Sequence, residues 1–246
     1  MIETLIRNVL AFTFLLIGSA VAIVISPIGL LNNTLLSLNV KANRLPTFVY
    51  QRYWAKIGLY ILNVKTVYEN IEKTENIPSS IIVSNHPSSL DLLLVAASPV
   101  PFVFVMKREL VWQLPIISWA AWCIGHRFIE RTNNKKAIET LNNQINTAKF
   151  NKTHLHIFAE GSRSKDGVMG EFKKGPFYLS VSNNCYIVPA KIENTHVLYP
   201  VEYFNCVKPG TIRLKYFDPI MNEEYDDSVK IRVEKLRDNA RNTILD

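Results

Sequence analysis

The sequence predicts an α/β fold: a mixed, largely parallel sheet flanked by helices and preceded by an N-terminal helical segment embedded in a membrane. Two observations predict it. Short apolar runs alternate with helical stretches from residue 64 onward, which is typical of α/β domains. The first 40 residues contain one acidic and one basic residue. With 246 residues, 48% of them hydrophobic, we expect a membrane anchor with interfacial helices over residues 1–62 and one α/β domain over residues 63–246.

The N-terminal segment is apolar enough to lie in the hydrocarbon of a bilayer. No charged residue occurs from Asn8 to Val40, and Leu5 to Pro27 is as long as a membrane-spanning helix. A signal peptide is disfavoured because the apolar run is long and its cleavage site is poorly defined. Pro27 and Gly29 could instead turn the chain into a re-entrant hairpin; the sequence leaves both arrangements open, and we favour the hairpin. The basic residues that follow predict a cytoplasmic location for the remaining chain: Lys41, Arg44, Arg52 and Lys56.

The segment from Thr47 to Leu62 predicts a helix with aromatic, aliphatic and basic side chains. One interpretation is an amphipathic helix at the lipid surface, with its aromatic rings at the interface. The alternative is an ordinary helix that packs on the core, and the pattern fits both equally.

The remaining elements follow in alternation. Apolar runs bounded by polar residues predict six strands: Val64–Val67, Ile81–Ser84, Phe102–Val105, His154–Phe158, Tyr186–Ile192 and Ile212–Phe217. Longer stretches between and after them predict five helices: Leu90–Ala97, Pro115–Ile124, Lys135–Ala148, Pro176–Ser182 and Ser228–Ile244. This order predicts a sheet in which parallel strands dominate.

Charge and cysteine content limit the classes of partner. The net charge is +7, and the whole excess lies after residue 40, which suits nucleic acid, anionic lipid or a phosphorylated small molecule. Nucleic acid is disfavoured because the chain has no aromatic RNA-binding signature and no zinc finger. Cys123, Cys185 and Cys206 are too few and too scattered for a disulfide framework or a metal site, which indicates a reducing compartment.

The stretch Asn85-His86-Pro87-Ser88-Ser89-Leu90-Asp91 carries the strongest chemical signal. It follows a predicted strand, and its proline suits the first position of a helix, so His86 is expected at a strand-to-helix turn. Asp91 lies little more than one helical turn further on, within reach of the imidazole. A carboxylate that holds one imidazole nitrogen leaves the other free to take a proton from a hydroxyl. A covalent role for Ser88 or Ser89 is less favoured, since serines beside a helix start are usually caps.

Three further blocks follow in the sequence: Gly125–Arg131, Phe158–Ser164 and Ile187–Ala190. In the block Phe158–Ser164 a strand runs into a Glu-Gly-Ser-Arg turn. Such a turn exposes backbone N–H groups, a hydroxyl and a guanidinium together, which is a suitable cradle for an oxyanion or a phosphate.

In order and spacing, these four blocks resemble those of the glycerolipid acyltransferases of the lysophosphatidic acid acyltransferase (PlsC-like) type. The first block corresponds to the NHxxxxD motif of that family, and the third to its Phe-Pro-Glu-Gly-Thr-Arg-Ser motif. The resemblance extends from about Ile81 to Ala190. The chain departs from the family at Pro87, Ala159 and Ser162, where glutamine, proline and threonine are common; no titratable group is lost, but the choice of acceptor is put in doubt.

The resemblance implies a PlsC-like acyltransferase domain in which His86 is the general base and Asp91 orients it. It also implies that the acceptor is held by its phosphate, through arginines whose guanidinium groups offer bidentate geometry. The substrate-binding residues implied are Arg131, Glu160, Gly161, Ser162, Arg163 and Lys107. For the arginines and Lys107 the ordinary alternative is a surface ion pair.

The function implied is transfer of a fatty acyl group from acyl-CoA or an acyl-acyl carrier protein to the free hydroxyl of 1-acyl-sn-glycerol-3-phosphate, giving phosphatidic acid at the cytoplasmic face of a membrane. The expected partners are membrane lipids and the thioester donor, with no nucleic acid, no metal and no tightly bound cofactor. The alternatives are an O-acyltransferase for another lysophospholipid or an aminolipid, and a non-catalytic lipid-binding scaffold protein.

Two metal-based interpretations are disfavoured. A metallophosphoesterase also uses an Asn-His pair but needs further ligands upstream, and Met1 to Ser80 contains no aspartate and no histidine. His154 and His156 lie on one face of a predicted strand, without a cluster of acidic partners, so we expect core or surface histidines.

Overall fold

The computed structural model describes residues 2–37, 45–75, 77, 79–130, 134–151, 153–200, 207–221 and 228–246. The helices are α1 (Ile2–Ser37), α2 (Leu45–Ile61), α3 (Glu72–Glu75), α4 (Leu90–Ala96), α5 (Leu110–Gln113), α6 (Pro115–Ile124), α7 (Asn134–Asn151), α8 (Gly175–Asn183), α9 (Thr195–Leu198) and α10 (Val229–Leu245). The strands are β1 (Val64–Glu69), β2 (Ser80–Ser84), β3 (Phe102–Lys107), β4 (Arg127–Ile129), β5 (His154–Phe158), β6 (Tyr186–Glu193) and β7 (Gly210–Tyr216).

The strands form one sheet in the order β1-β7-β6-β2-β5-β3-β4. The five strands from β6 to β4 are parallel to one another. Strand β7 is antiparallel to β6 and parallel to β1. The predicted mixed, largely parallel sheet flanked by helices is therefore confirmed.

Hydrophobic cores lie on both faces of the sheet, as parallel strands require. Successive side chains of a strand point to opposite faces, and in β2 Ile82 belongs to one core cluster while Ile81 and Val83 belong to the other. The first core contains residues of α2 and α4, and the second contains residues of α8 and α10. All five residues of β2 are buried, so this strand lies in the centre of the domain.

The N-terminal helix is continuous through Pro27. The sequence left two arrangements open, and the one that we favoured, a hairpin that turns at Pro27 and Gly29, is wrong, because α1 extends from Ile2 to Ser37 with the proline inside it. A proline within a helix removes one backbone hydrogen bond, but α1 also packs against α2 and α6. In the part of the chain that the structure describes, no helix combines the length and apolarity needed to cross a membrane.

Helix α2 has one face in the core and another in solvent. Ala55 and Leu59 are buried, which confirms the core-facing interpretation for that side. Tyr53 and Tyr60 on the other side are 60% and 83% exposed. Of the aromatic residues of this segment, Tyr53 and Tyr60 therefore lie on the uncovered face, whereas Phe48 and Trp54 pack against the cores.

The parallel strands bring the predicted functional segments to one edge of the sheet. β2, β5, β3 and β4 are neighbours that run in the same direction, so the loops after them meet at their carboxyl ends. Ligand sites of open α/β sheets usually lie at this edge. The first block follows β2, and the Glu-Gly-Ser-Arg turn follows β5 directly beside it.

Candidate active site

His86 and Asp91 meet across the loop between β2 and α4. The imidazole Nδ1–H donates to Asp91 Oδ2 over 2.8 Å. The carboxylate is completely buried, whereas the histidine side chain is 15% exposed. Because Nδ1 donates, Nε2 of the neutral ring has no proton and can accept one. The structure thus joins the two residues in the geometry of a general base.

The carboxyl group of Asp91 is held among donors. Its Oδ2 also accepts a hydrogen bond from the backbone N–H of Ser88 over 2.8 Å. Burial raises the pKa of Asp91, while His86, the Thr195 hydroxyl and the Ser88 N–H act in the opposite direction by stabilising the carboxylate. A proton that reaches the imidazole therefore places a positive charge next to a buried carboxylate.

Glu160 fixes the position of the histidine backbone. Its Oε1 accepts a hydrogen bond from the His86 N–H over 2.7 Å, and its Oε2 accepts one from the Gly170 N–H over 2.8 Å. The side chain is buried. Gly161, which follows it, has a φ of 76°, a conformation that favours glycine. Since both carboxylate oxygens of Glu160 bind main-chain groups, the residue holds its own loop between β5 and α8 together and joins it to the loop between β2 and α4.

Two further contacts hold the loop, and we did not predict either. Asn85 donates to the Ile192 carbonyl over 2.9 Å and accepts from the Ile192 N–H over 2.8 Å, so its amide continues the pairing of β2 with β6. The ring of Phe158 stacks on the His86 imidazole at 3.9 Å between centroids and an angle of 12°. The signal for Phe158 was its place at the end of β5, since it lies opposite Ser84 in the sheet register.

The cationic residues lie at different distances from this pair. The Arg163 guanidinium donates to Ser89 Oγ in the same loop as His86, and both Ser162 and Arg163 are exposed. Lys107 ends β3, which is separated from β2 by β5, and its side chain is exposed. Arg131 lies outside the described residues. The structure thus brings Arg163 to the loop that carries His86 and places Lys107 further along the same edge.

An apolar cavity of about 410 Å³ lies beside the loop between β2 and α4 that carries His86. Its walls come from α1, α2, α4 and α6, and Ser89 and Leu90, which lie between His86 and Asp91 in the sequence, belong to its lining. Leu93, Phe104 and Ile117 are among the apolar residues that line it. A cavity of this kind suits a hydrocarbon chain.

His154 and His156 are core residues, which is one of the two alternatives that we expected. His154 Nδ1 contacts Ser80 Oγ at 2.8 Å, and His156 Nε2 contacts Ser84 Oγ at 2.9 Å. Burial lowers the pKa of His154 to about 4, and burial together with the nearby His86 lowers that of His156 to about 3. Within the described residues, no group of three or more His, Cys, Asp or Glu residues could hold a metal ion.

A family model described as Acyltransferase matches residues 65–193, more than half of the chain. The chain belongs to this acyltransferase family. The matched part of the acyltransferase includes His86, Asp91, Glu160 and Arg163, and it extends from β1 to the end of β6.

Relatives of this acyltransferase are named 1-acyl-sn-glycerol-3-phosphate acyltransferases. The chloroplastic LPAT1 of Arabidopsis thaliana is 31% identical over 71% of this chain and 49% of its own length. The enzyme of Saccharomyces cerevisiae is 31% identical over 74% of this chain and 60% of its own length. The alpha enzyme of Ovis aries is 30% identical over 77% of this chain and 67% of its own length. The chain therefore spans about half to two thirds of these relatives.

A solved structure shares the fold of the acyltransferase. It is the crystal structure of the 1-acyl-sn-glycerophosphate (LPA) acyltransferase PlsC from Thermotoga maritima. The TM-score is 0.65 at 22% sequence identity, and the match covers 98% of this chain and 97% of that one. The predicted PlsC-like fold is therefore confirmed over nearly the whole chain.

Proposed function

We propose that this protein transfers a fatty acyl group from an acyl thioester to the free hydroxyl of 1-acyl-sn-glycerol-3-phosphate, giving phosphatidic acid. The observation that carries the proposal is the His86–Asp91 pair beside an apolar cavity. The pair supplies a base for a hydroxyl, and the cavity supplies space for an acyl chain. The names of the relatives point to the same acceptor.

The reaction needs no covalent intermediate, because a thioester is already activated. Nε2 of His86 takes the proton of the acceptor hydroxyl while the hydroxyl oxygen attacks the thioester carbonyl. Asp91 stabilises the imidazolium that forms. When the tetrahedral intermediate collapses, the carbon–sulfur bond breaks and the imidazolium returns its proton to the leaving thiolate. The products are the ester and a free thiol, on coenzyme A or acyl carrier protein.

Arg163 is our candidate for binding the acceptor phosphate. Its guanidinium group is exposed and lies against Ser89, so a phosphate there would be held beside the loop that carries His86. Lys107 would extend this cationic edge, and Ser162 and Gly161 belong to the same turn as Arg163. Arg131 is a further candidate for the phosphate on the sequence alone. Glu160 would act through the backbone contacts that fix the loop.

The acceptor and the cavity both suggest attachment to a membrane. Large apolar side chains of α1 are exposed along the helix, namely Ile2, Leu5, Ile6, Val9, Leu10, Phe12, Leu16, Ile17, Val24, Leu30 and Leu31. Exposed apolar surface of this extent fits a lipid leaflet. We propose that residues 1–62 anchor the protein and residues 63–246 form the acyltransferase domain on the cytoplasmic face, with acyl-CoA or acyl-acyl carrier protein as donor and no nucleic acid partner.

An acyl-transfer assay on the full chain in phospholipid vesicles tests the function. With palmitoyl-CoA and 1-acyl-sn-glycerol-3-phosphate, we expect His86→Ala to lower kcat/KM by about 10²- to 10⁴-fold, the range typical of a lost general base. The unfolding midpoint of the variant should stay near that of the wild type. Equal turnover by the two proteins would refute the assignment, and transfer only to another lysolipid would replace the proposed acceptor.

The phosphate assignment has its own test. Because charge-assisted hydrogen bonds to the phosphate are lost, Arg163→Ala should raise the KM for the acceptor about 10-fold. The KM for the thioester should change much less. Lys230→Ala, which removes an exposed cation on α10, is the matched control. An unchanged acceptor KM in Arg163→Ala would contradict the proposed phosphate contact.

A further inference from the structure

The polar side chains that line the apolar cavity differ in their hydrogen bonding. Asn8 binds the Val207 main chain, and the Tyr50 hydroxyl donates to the Gly18 carbonyl. Ser89 accepts from Arg163, and His126 Nδ1 accepts from the Phe104 N–H over 3.0 Å. Gln51 lines the same cavity, but its side-chain oxygen lacks a hydrogen-bond partner among the described residues.

Gln51 is buried, with 4% exposure, and its Oε1 has no hydrogen-bond partner among the described residues. It lies on the core-facing stripe of α2, one turn before Ala55 and two turns before Leu59, which are 0% and 1% exposed. An apolar side chain is the ordinary occupant of such a position. A buried amide oxygen without a donor costs on the order of 1–3 kcal/mol, so a glutamine here is unfavourable unless a bound molecule satisfies that oxygen.

A second polar group on the same helix face is also without a partner. Trp54, which follows Gln51 by three positions and lines the cavity too, has its indole N–H buried with no acceptor among the described residues. The indole packs against Gly18 of α1, where a Cβ atom would lie 2.3 Å from Nε1. α2 therefore places the unpaired amide oxygen of a lining residue beside a cavity whose other walls are mostly apolar, and a second unpaired group, the Trp54 N–H, at the border between that cavity and α1.

We propose that this cavity binds an acyl chain that carries a hydroxyl group, and that Gln51 is the residue that recognises the hydroxyl. The inference rests on the proposed acyl transfer and names its donor class more narrowly. A hydroxyl both donates and accepts, so it can donate to the Gln51 carbonyl oxygen and accept from a neighbouring N–H. A charged group is excluded by the same surroundings, because no charged side chain lines the cavity as described.

The specificity would come from the cost of leaving Gln51 unpaired. An unsubstituted chain fills the apolar volume but covers the amide without satisfying it, whereas a hydroxylated chain removes that penalty. A site built to hydrogen-bond a substrate hydroxyl discriminates more strongly against the analogue that lacks it than an apolar pocket does against an added hydroxyl. Replacement of Gln51 by an apolar residue of similar size should therefore reverse the preference.

The experiment compares acyl donors rather than acceptors. The full chain in phospholipid vesicles is given palmitoyl-CoA or palmitoyl-CoA hydroxylated near the thioester, at mid-chain or near the methyl end, with 1-acyl-sn-glycerol-3-phosphate as acceptor. In the wild type we expect at least one hydroxylated donor to have a kcat/KM about 10-fold above that of palmitoyl-CoA. In Gln51→Met that ratio should fall to one or below, chiefly because palmitoyl-CoA improves.

Gln113→Leu, at an exposed glutamine of α5, is the control and should keep the wild-type ratio. The same ratio in the wild type and Gln51→Met would overturn the inference, as would a wild type that prefers palmitoyl-CoA over every hydroxylated donor. Either result leaves the acyl transfer itself intact. Absence of transfer from all four donors and from palmitoyl-acyl carrier protein would overturn the proposed function as well, so the two failures are distinguishable.

Discussion

His86 and His156 lie close together, and both rings contact Phe158, with centroids 3.9 Å and 5.2 Å away. Their partners differ. His86 donates to a buried carboxylate and keeps part of its ring exposed, whereas His156 contacts the hydroxyl of Ser84 and is 1% exposed. Burial and the nearby His86 lower the pKa of His156 to about 3, so this ring stays neutral at physiological pH.

The difference shows what turns a histidine at this sheet into a candidate base. Both residues lie near the carboxyl ends of neighbouring strands, so position in the fold does not separate them. The carboxylate partner does, because it fixes the proton on Nδ1 and stabilises the cation that proton transfer creates. A hydroxyl partner satisfies a buried ring but gives a cation little stabilisation.

Loss of the Asp91 carboxylate should remove the difference between His86 and His156 and have the largest effect on activity. Asp91→Asn keeps the shape of the side chain but leaves His86 with a neutral partner, as His156 has. We expect kcat to fall by about 10²- to 10⁴-fold because the imidazolium loses its counter-charge. Acyl transfer at saturating acceptor measures it. A loss confined to the acceptor KM would contradict the role of Asp91.

Acidification should lower the stability of the fold through the two buried imidazole rings, His154 and His156. His154 and His156 have pKa values lowered to about 4 and about 3, while in the unfolded chain imidazoles titrate near pH 6.5. Their contribution to stability is therefore complete above about pH 6.5 and is lost as the pH falls toward 4 and 3. Between pH 7 and pH 5 this is on the order of 2 kcal/mol for each ring.

Urea unfolding of the wild type and His156→Gln at pH 7 and pH 5 measures this loss. Glutamine keeps a polar group for Ser84 and cannot be protonated, so the variant should lose less stability on acidification. The same loss in both proteins would show that the His156 ring does not titrate on unfolding.

The smallest effect should follow from a change at Phe158, whose ring contacts both His86 and His156. Phe158→Leu keeps the side chain apolar but removes the surface stacked on the imidazole. We expect kcat to fall about 3- to 10-fold, because a base that is less well oriented spends less time in productive geometry. The KM for the thioester should change little. A variant with wild-type kcat would show that Asp91 alone orients His86.

The elements of the fold were predictable where local pattern and tertiary packing agree. The predicted strand His154–Phe158 and helix Pro115–Ile124 have the observed bounds. The predicted turn at Pro27 was wrong. A proline destabilises a helix locally, but α1 also packs against α2 and α6, and those tertiary contacts are not visible in the local sequence. The short helices α3, α5 and α9 were missed because four residues carry too little periodicity.

At the candidate site, the sequence alone determined the chemistry, and the tertiary structure decided which partner each group has. The spacing of His86 and Asp91 was sufficient to predict their hydrogen bond, because a turn followed by a helix keeps residues that close in space. The contacts of Glu160 with His86, of Phe158 with the imidazole, and of Gln51 with the cavity could not be read from spacing. They join segments far apart in the chain, and only the order and direction of the strands and the packing of α1 and α2 bring those segments together.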